Sequence, residues 1–138
     1  MRNRKNKLTI ILLVFLMVYV VNSFFTVRML TGKYANRNFE NGFISEIPHV
    51  NDTLIIKDNY EFESSFFGKG KYELKYSFSG TKINLLYGEG YSSTNINGKE
   101  IRVSNKAVLS TYINRILFFG NPKIILCEDL DQYYEKIE

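Results

Sequence analysis

The sequence predicts an all-β domain, a small up-and-down antiparallel β-barrel, preceded by one N-terminal transmembrane helix. Three observations carry that expectation. Leu8–Val27 is a run of 20 residues without a charge. From Gly32 onward, apolar residues recur at every second position, the period of a strand with one buried face. Short breaks rich in Gly, Asn and Asp separate these runs and are too brief for a crossover helix, so neighbouring strands are antiparallel.

The apolar run comes first in the chain. About 20 helical residues at ~1.5 Å each cover the hydrocarbon core of a bilayer. A helix satisfies its own backbone groups in lipid, which outweighs the β-branched content of LTIILLVFLMVYVVNSFFTV. Arg2, Arg4, Lys5 and Lys7 precede the run and Arg28 follows it. The positive-inside rule therefore places Met1 in the cytoplasm and the C-terminus outside, as a single-pass protein of the cell membrane. A second reading stays open. Leu8–Val21 can serve as the apolar region of a secretory signal, with Val21-Asn22-Ser23 as a small-residue cleavage site. Either way residues 32–138 form an exported domain, periplasmic or extracellular, and residues 1–31 form the basic tip and the anchor.

The net charge of +4 belongs mostly to the membrane segment. Without the five flanking cations, 13 basic residues face 14 acidic ones, all beyond position 39. Nucleic-acid binding needs basic side chains gathered on the folded domain, and here they are interleaved with acids. That class is excluded. The composition, 45% hydrophobic and 15% aromatic, is that of a packed domain rather than a disordered one.

Within the exported domain, Thr53–Ile56 reads as a strand and Lys57-Asp58-Asn59 as a turn. Tyr60, Phe62, Ser64 and Phe66 then share a face opposite Glu61 and Glu63. Gly68-Lys69-Gly70 breaks the chain. Tyr72, Leu74, Tyr76 and Phe78 alternate with Lys71, Glu73, Lys75 and Ser77 in the clearest half-buried strand. Ser79-Gly80 turns it back into Ile83, Leu85 and Tyr87. Gly88-Glu89-Gly90 opens a weaker region, in which Asn97-Gly98 is a type I′ hairpin signal joining Thr94–Ile96 to Ile101–Val103. Residues 107–118 fit two elements. Val108, Tyr112, Ile116 and Phe119 share a helical face, whereas Leu109, Thr111, Ile113 and Leu117 share a strand face interrupted by Arg115. The β-branched and aromatic content favours strand. Gly120-Asn121-Pro122 turns the chain, Lys123–Cys127 reads as a buried strand, and Gln132–Ile137 closes the domain. Eight to ten short strands in about 100 residues must curl to bury one face and limit their edges.

With these runs in place, the chain resembles the small lipocalin-like domains of exported proteins of low-GC Bacteroidota. Gly32-Lys33-Tyr34 stands where such domains open with a Gly-x-aromatic strand. Asp52–Ile56, Asn59–Phe62, Gly70–Tyr72 and Gly80–Leu85 follow the successive hairpins. Pro122–Leu126, Asp129–Asp131 and Tyr133–Ile137 match the ending of uncharacterised members. The chain departs from the pattern in having no tryptophan and no cysteine near the apolar segment to accept lipid. The resemblance implies a barrel whose ligand varies among members, and it carries no catalytic residue across.

Chemistry-bearing residues are sparse. His49, the lone histidine, follows Pro48 with Asp52 nearby, and reads as a solvated loop residue rather than a ligand or base. Cys127, the lone cysteine, lies in the apolar run Ile124–Cys127 and reads as a buried small residue; no internal disulfide is available. One His and one Cys make no zinc set. Glu128-Asp129-Leu130-Asp131 lacks the spacing of a calcium loop and reads as a charged turn. Glycines 88, 90 and 98 lack the following Lys-Ser/Thr of a phosphate loop. Asn51-Asp52-Thr53 is a glycosylation sequon, meaningful only in a eukaryotic secretory pathway. No catalytic residue, metal site or cofactor is expected. Most of the 21 Tyr and Phe residues are assigned to core, with a minority available to line a barrel mouth. The expected function is non-enzymatic binding, of a small amphipathic ligand or of an envelope protein partner.

Overall fold

A computed structural model describes residues 2–41, 44–96, 99–116 and 120–138, with side chains for 6–40, 44–88, 107–116 and 120–138. The chain opens with α1 (Arg2–Ser23), then a single helical turn, α2 (Val27–Leu30). Eight strands follow: β1 (Gly32–Arg37), β2 (Thr53–Ile56), β3 (Glu61–Ser64), β4 (Gly68–Ser77), β5 (Gly80–Ile96), β6 (Lys99–Asn114), β7 (Lys123–Cys127) and β8 (Gln132–Lys136). They pair in chain order, all antiparallel, and β8 returns to β1 to close an up-and-down barrel.

The expected fold is therefore observed, with eight strands rather than up to ten. The two short strands expected around Asn97-Gly98 are the distal halves of β5 and β6, which run 17 and 16 residues. A bulge between Tyr87 and Gly90, where Gly88 adopts φ +56°, lets β5 continue through the glycine-rich region. The Asn97-Gly98 turn itself lies outside the described residues, although Ile96 and Lys99 pair on either side of it. The ambiguous segment is strand through Asn114. Leu117, Phe118 and Phe119 lie outside the described residues.

α1 is apolar all round. Its stretch Asn6–Ser23 has a mean hydropathy of 1.8, none of it is buried, and it is long enough to cross a membrane. The helix stops at Ser23, four residues before the end of the uncharged run. Those four residues, Phe24–Val27, turn the chain across the barrel end, where Phe25 and Leu30 are fully buried. The barrel core thus begins ahead of Gly32.

Eight strands enclose a space that side chains alone can fill. Tyr34, Leu54, Ile56, Phe62, Tyr72, Ile83, Leu85, Ile113, Ile124 and Tyr134 point inward and are at most 4% exposed. Gly70 makes this packing possible on β4. A Cβ there would lie 2.2 Å from the Leu86 carbonyl oxygen and 2.7 Å from the Phe62 ring.

Aromatic placements at three turns differ from the sequence pattern. Tyr60 belongs to the β2–β3 turn with φ +63°, the left-handed conformation needed for Lys57 N–H to bond Glu61 and for Tyr60 to receive Tyr72 N–H. In the β3–β4 turn, Ser64 Oγ accepts from both Phe66 and Phe67 N–H. That turn shifts the parity by one, so Phe67 enters the core and Phe66 stays outside. At the end of β4, Tyr76 is 56% and Phe78 98% exposed, because the β4–β5 hairpin overhangs the barrel end.

Candidate functional site

The two ends of the barrel are sealed by different groups. At the helix end, the stopper is the Phe24–Thr31 segment. Thr81 is fully buried; its hydroxyl accepts from Phe25 N–H and donates to the Ser23 carbonyl, both at 3.0 Å. Tyr76 OH donates to the Phe25 carbonyl at 3.0 Å, Tyr34 OH to Leu30 at 2.7 Å, and Lys136 Nζ to Met29 at 2.9 Å. Carbonyls left open by the end of a helix must find donors, and the barrel rim supplies them. The Arg115 guanidinium lies 4.9 Å from the Phe25 ring centroid. Burial first, then Arg115, holds Lys136 below the usual lysine range.

At the far end, Asp52 is 2% exposed and is surrounded by donors. Ser64 Oγ donates to Oδ2 at 2.7 Å, Ser65 N–H to Oδ1 at 2.9 Å and Phe66 N–H to Oδ1 at 3.3 Å; Tyr134 OH donates to Oδ2. A buried carboxylate is tolerable only with such a set. Gln132 continues the network: its Nε2 donates to the Pro48 carbonyl at 2.7 Å and to Asn36 Oδ1 at 3.2 Å. Asn36 Nδ2 donates to the carbonyls of Pro48 and Val50. These bonds tie the β1–β2 loop across the barrel mouth. Burial, then the bond to Asp52, raises Tyr134 well above the ordinary tyrosine range.

This cluster latches the β1–β2 loop to the barrel wall. Asp52 is acceptor to four groups, and none of those groups is a general base or an activated nucleophile. His49 makes no bond to Asp52; it is half-buried and its Nδ1 is closed off without a partner. Cys127 is half-buried at the end of β7, a free thiol opposite Gln132. Glu128–Asp131 form the β7–β8 turn, in which Asp131 takes φ +48° and receives Asn38 Nδ2 on its carbonyl at 2.8 Å. Among the described residues, no three His, Cys, Asp or Glu side chains gather to hold a metal. Asn51, of the sequon, is exposed.

Sequence reasoning weighed Asp52 as a chemical group only beside His49, and gave Asn36, Gln132 and Thr81 no part in a site. A readable signal existed for two of them. Asn36 shares strand parity with Tyr34, and Gln132 with Tyr134, so both are polar residues at inward positions.

The remaining feature is an arm. β4 pairs with β5 from Ser77↔Gly80 to Lys71↔Leu86, and β7 pairs with β6 at Ile113 and Asn114 alone. Beyond Leu86, β5 and β6 continue together to Ile96↔Lys99. Ten residues at ~3.3 Å each carry that ribbon about 33 Å from its last rung with β4. Among the described residues, no strand pairs with either outer edge of the ribbon. A concavity of about 510 Å³ is bordered by Lys57, Phe62, Glu63, Lys71 and Gly88. Compared with family models, curated proteins and solved structures, the chain matches none.

Proposed function

We propose that the protein is a non-enzymatic interaction module, a β-barrel tethered at the membrane by α1 on the non-cytoplasmic face of the cell envelope, and that it binds a protein partner through the β5–β6 arm. The observation that carries this reading is the contrast between a filled barrel and a ribbon extending beyond its wall. An interior occupied by Tyr34, Tyr72, Phe62 and Tyr134 favours a protein partner over the small amphipathic ligand of a lipocalin-like carrier. A ribbon with two open edges suits an extended segment of another chain, which can add a strand through main-chain bonds.

The tether reading rests on the apolar length of α1 and on the four cations before it. The competing reading is a signal sequence cleaved after Ser23. That cut would leave Phe25 and Leu30 in place as a stopper, so the barrel suits a secreted form too. The intact mass of the protein from its native membrane separates the two.

The partner reading is tested in living cells with a photo-crosslinking residue at Thr94 or Ile101 on the arm, and at Thr53 or Glu73 on the wall. The expected result is a discrete adduct with an envelope protein from the arm positions. It disappears when residues 91–104 are replaced by Asn-Gly, which joins the register partners Gly90 and Asn105. Adducts from the wall positions alone would overturn the assignment.

A further inference from the structure

We infer that the tip of the β4–β5 hairpin is a second membrane contact, with Phe78 inserted among lipids beside the transmembrane helix; this rests on the tether reading above. The geometry that points there is a bond between helix and hairpin. Tyr19 OH donates to the Phe78 carbonyl. Tyr19 lies four residues before the end of α1, about 6 Å along its axis. Helical side chains lean toward the N-terminus, so the hydroxyl reaches deeper than its own Cα. With α1 in a bilayer, the Phe78 carbonyl sits below the level of Ser23, within the depth of the apolar span.

The side chains around that carbonyl are graded by depth. Phe78 occupies the two-residue turn and is 98% exposed, more than any other large apolar side chain among the described residues. Next come Tyr76 and Phe24, stacked at 6.5 Å, with Tyr19 edge-on to Phe24 at 6.3 Å. Phe24, Tyr76, Ser77 and Phe78 border an open notch of about 430 Å³. Three residues back from Phe78, about 10 Å along the strand, Lys75 and Lys82 face each other across the ladder, and Lys82 lies over the Tyr112 ring at 4.4 Å. Phenylalanine, then tyrosine, then lysine is the order in which acyl chains, the interface and phosphates would be met. A second copy of the chain would not call for that grading. The neighbouring turn at Lys57–Tyr60 carries Asp58 and Asn59, so that turn is not part of the contact.

The test uses the absence of tryptophan from the chain. Phe78→Trp, Phe15→Trp in the middle of α1, and Val50→Trp at the far end each create a single-tryptophan protein at an exposed position. Each full-length variant is reconstituted in vesicles of phosphatidylcholine and phosphatidylglycerol, with and without brominated acyl chains. The expected result is blue-shifted emission from Phe78→Trp and a loss in brominated vesicles comparable with that of Phe15→Trp, while Val50→Trp keeps its intensity. Quenching at Phe15→Trp without quenching at Phe78→Trp overturns the hairpin contact and leaves the tether standing. Loss of quenching at both removes the tether and the contact together. Quenching at all three positions overturns the contact as a specific one, because the whole barrel would then lie in lipid. Phe78→Trp that is shielded from aqueous iodide yet unaffected by bromine also overturns it, since protein would then cover the tip.

Discussion

At the helix end of the barrel the stopper is apolar, with Phe25 and Leu30 fully buried and main-chain carbonyls held by hydroxyls from the rim. At the far end it is a carboxylate, Asp52, buried to the same degree but held by four donors. The two solutions fail differently. An apolar stopper loses packing in proportion to the atoms removed, and neighbours relax into part of the gap. A polar latch strands its buried donors when its acceptor is lost, because a donor such as the buried Tyr134 hydroxyl has already left water. The comparison also fits the proposed orientation: the apolar stopper sits against the membrane, and the polar latch faces the aqueous side.

Asp52→Ala gives the sharpest break in that comparison. Removal of the shared acceptor strands the Tyr134 and Ser64 hydroxyls and Ser65 N–H, while Phe66 N–H keeps Ser64 Oγ, for a loss of about 4 kcal/mol in chemical denaturation. Leu30→Ala at the opposite end should cost about 3 kcal/mol, as a cavity with partial collapse. A larger loss for Leu30→Ala than for Asp52→Ala would reverse the argument. Thr81→Val keeps the volume but strips the Phe25 N–H and the Ser23 carbonyl of their shared hydroxyl, at about 2 kcal/mol. It should also loosen the helix against the barrel, read as faster proteolysis between Ser23 and Thr26.

The smallest effect sharpens the comparison through pH. The Tyr134 phenol in the folded protein lies above its unfolded value of 10.0, by burial and by Asp52. Tyr34 is raised as well, chiefly by burial, and Tyr72 is pushed up to about 12. Above pH 10 the unfolded chain releases these protons while the folded chain keeps them. Their contribution is therefore full below pH 10 and is lost as the pH rises toward the folded values. Tyr134→Phe should cost about 1 kcal/mol at neutral pH and make the alkaline loss less steep. An unchanged alkaline profile in Tyr134→Phe would show that the latch does not govern that limb.

Much of the barrel was readable along the chain. Most strands from Thr53 to Lys136 are announced by alternation, β7 instead by a continuous apolar run, and most turns by Gly, Asn or Asp. The expected strand at 107–118 is real through Asn114. The parities of Phe66, Phe67, Tyr60 and Phe78 were not readable, because a turn that gains or loses one residue transfers the next side chain to the other face. The latch was half-legible: Asn36 and Gln132 stand at inward positions, but nothing local tells Asp52 that it will meet Tyr134, 82 residues away.

By itself the sequence determined what local physics controls: an uncharged run long enough to span a bilayer, a period of two, and turns too short for anything but antiparallel neighbours. Only the tertiary structure decided what depends on closing the cylinder. Closure brings β8 against β1, ends the helix at Ser23 so that Phe25 and Leu30 can stop one mouth, and commits Asp52 to the other. It also decides how far β5 and β6 outrun their neighbours, because the point where Leu86 makes the last rung is fixed by the length of β4 and by its register, neither of which is written within β5.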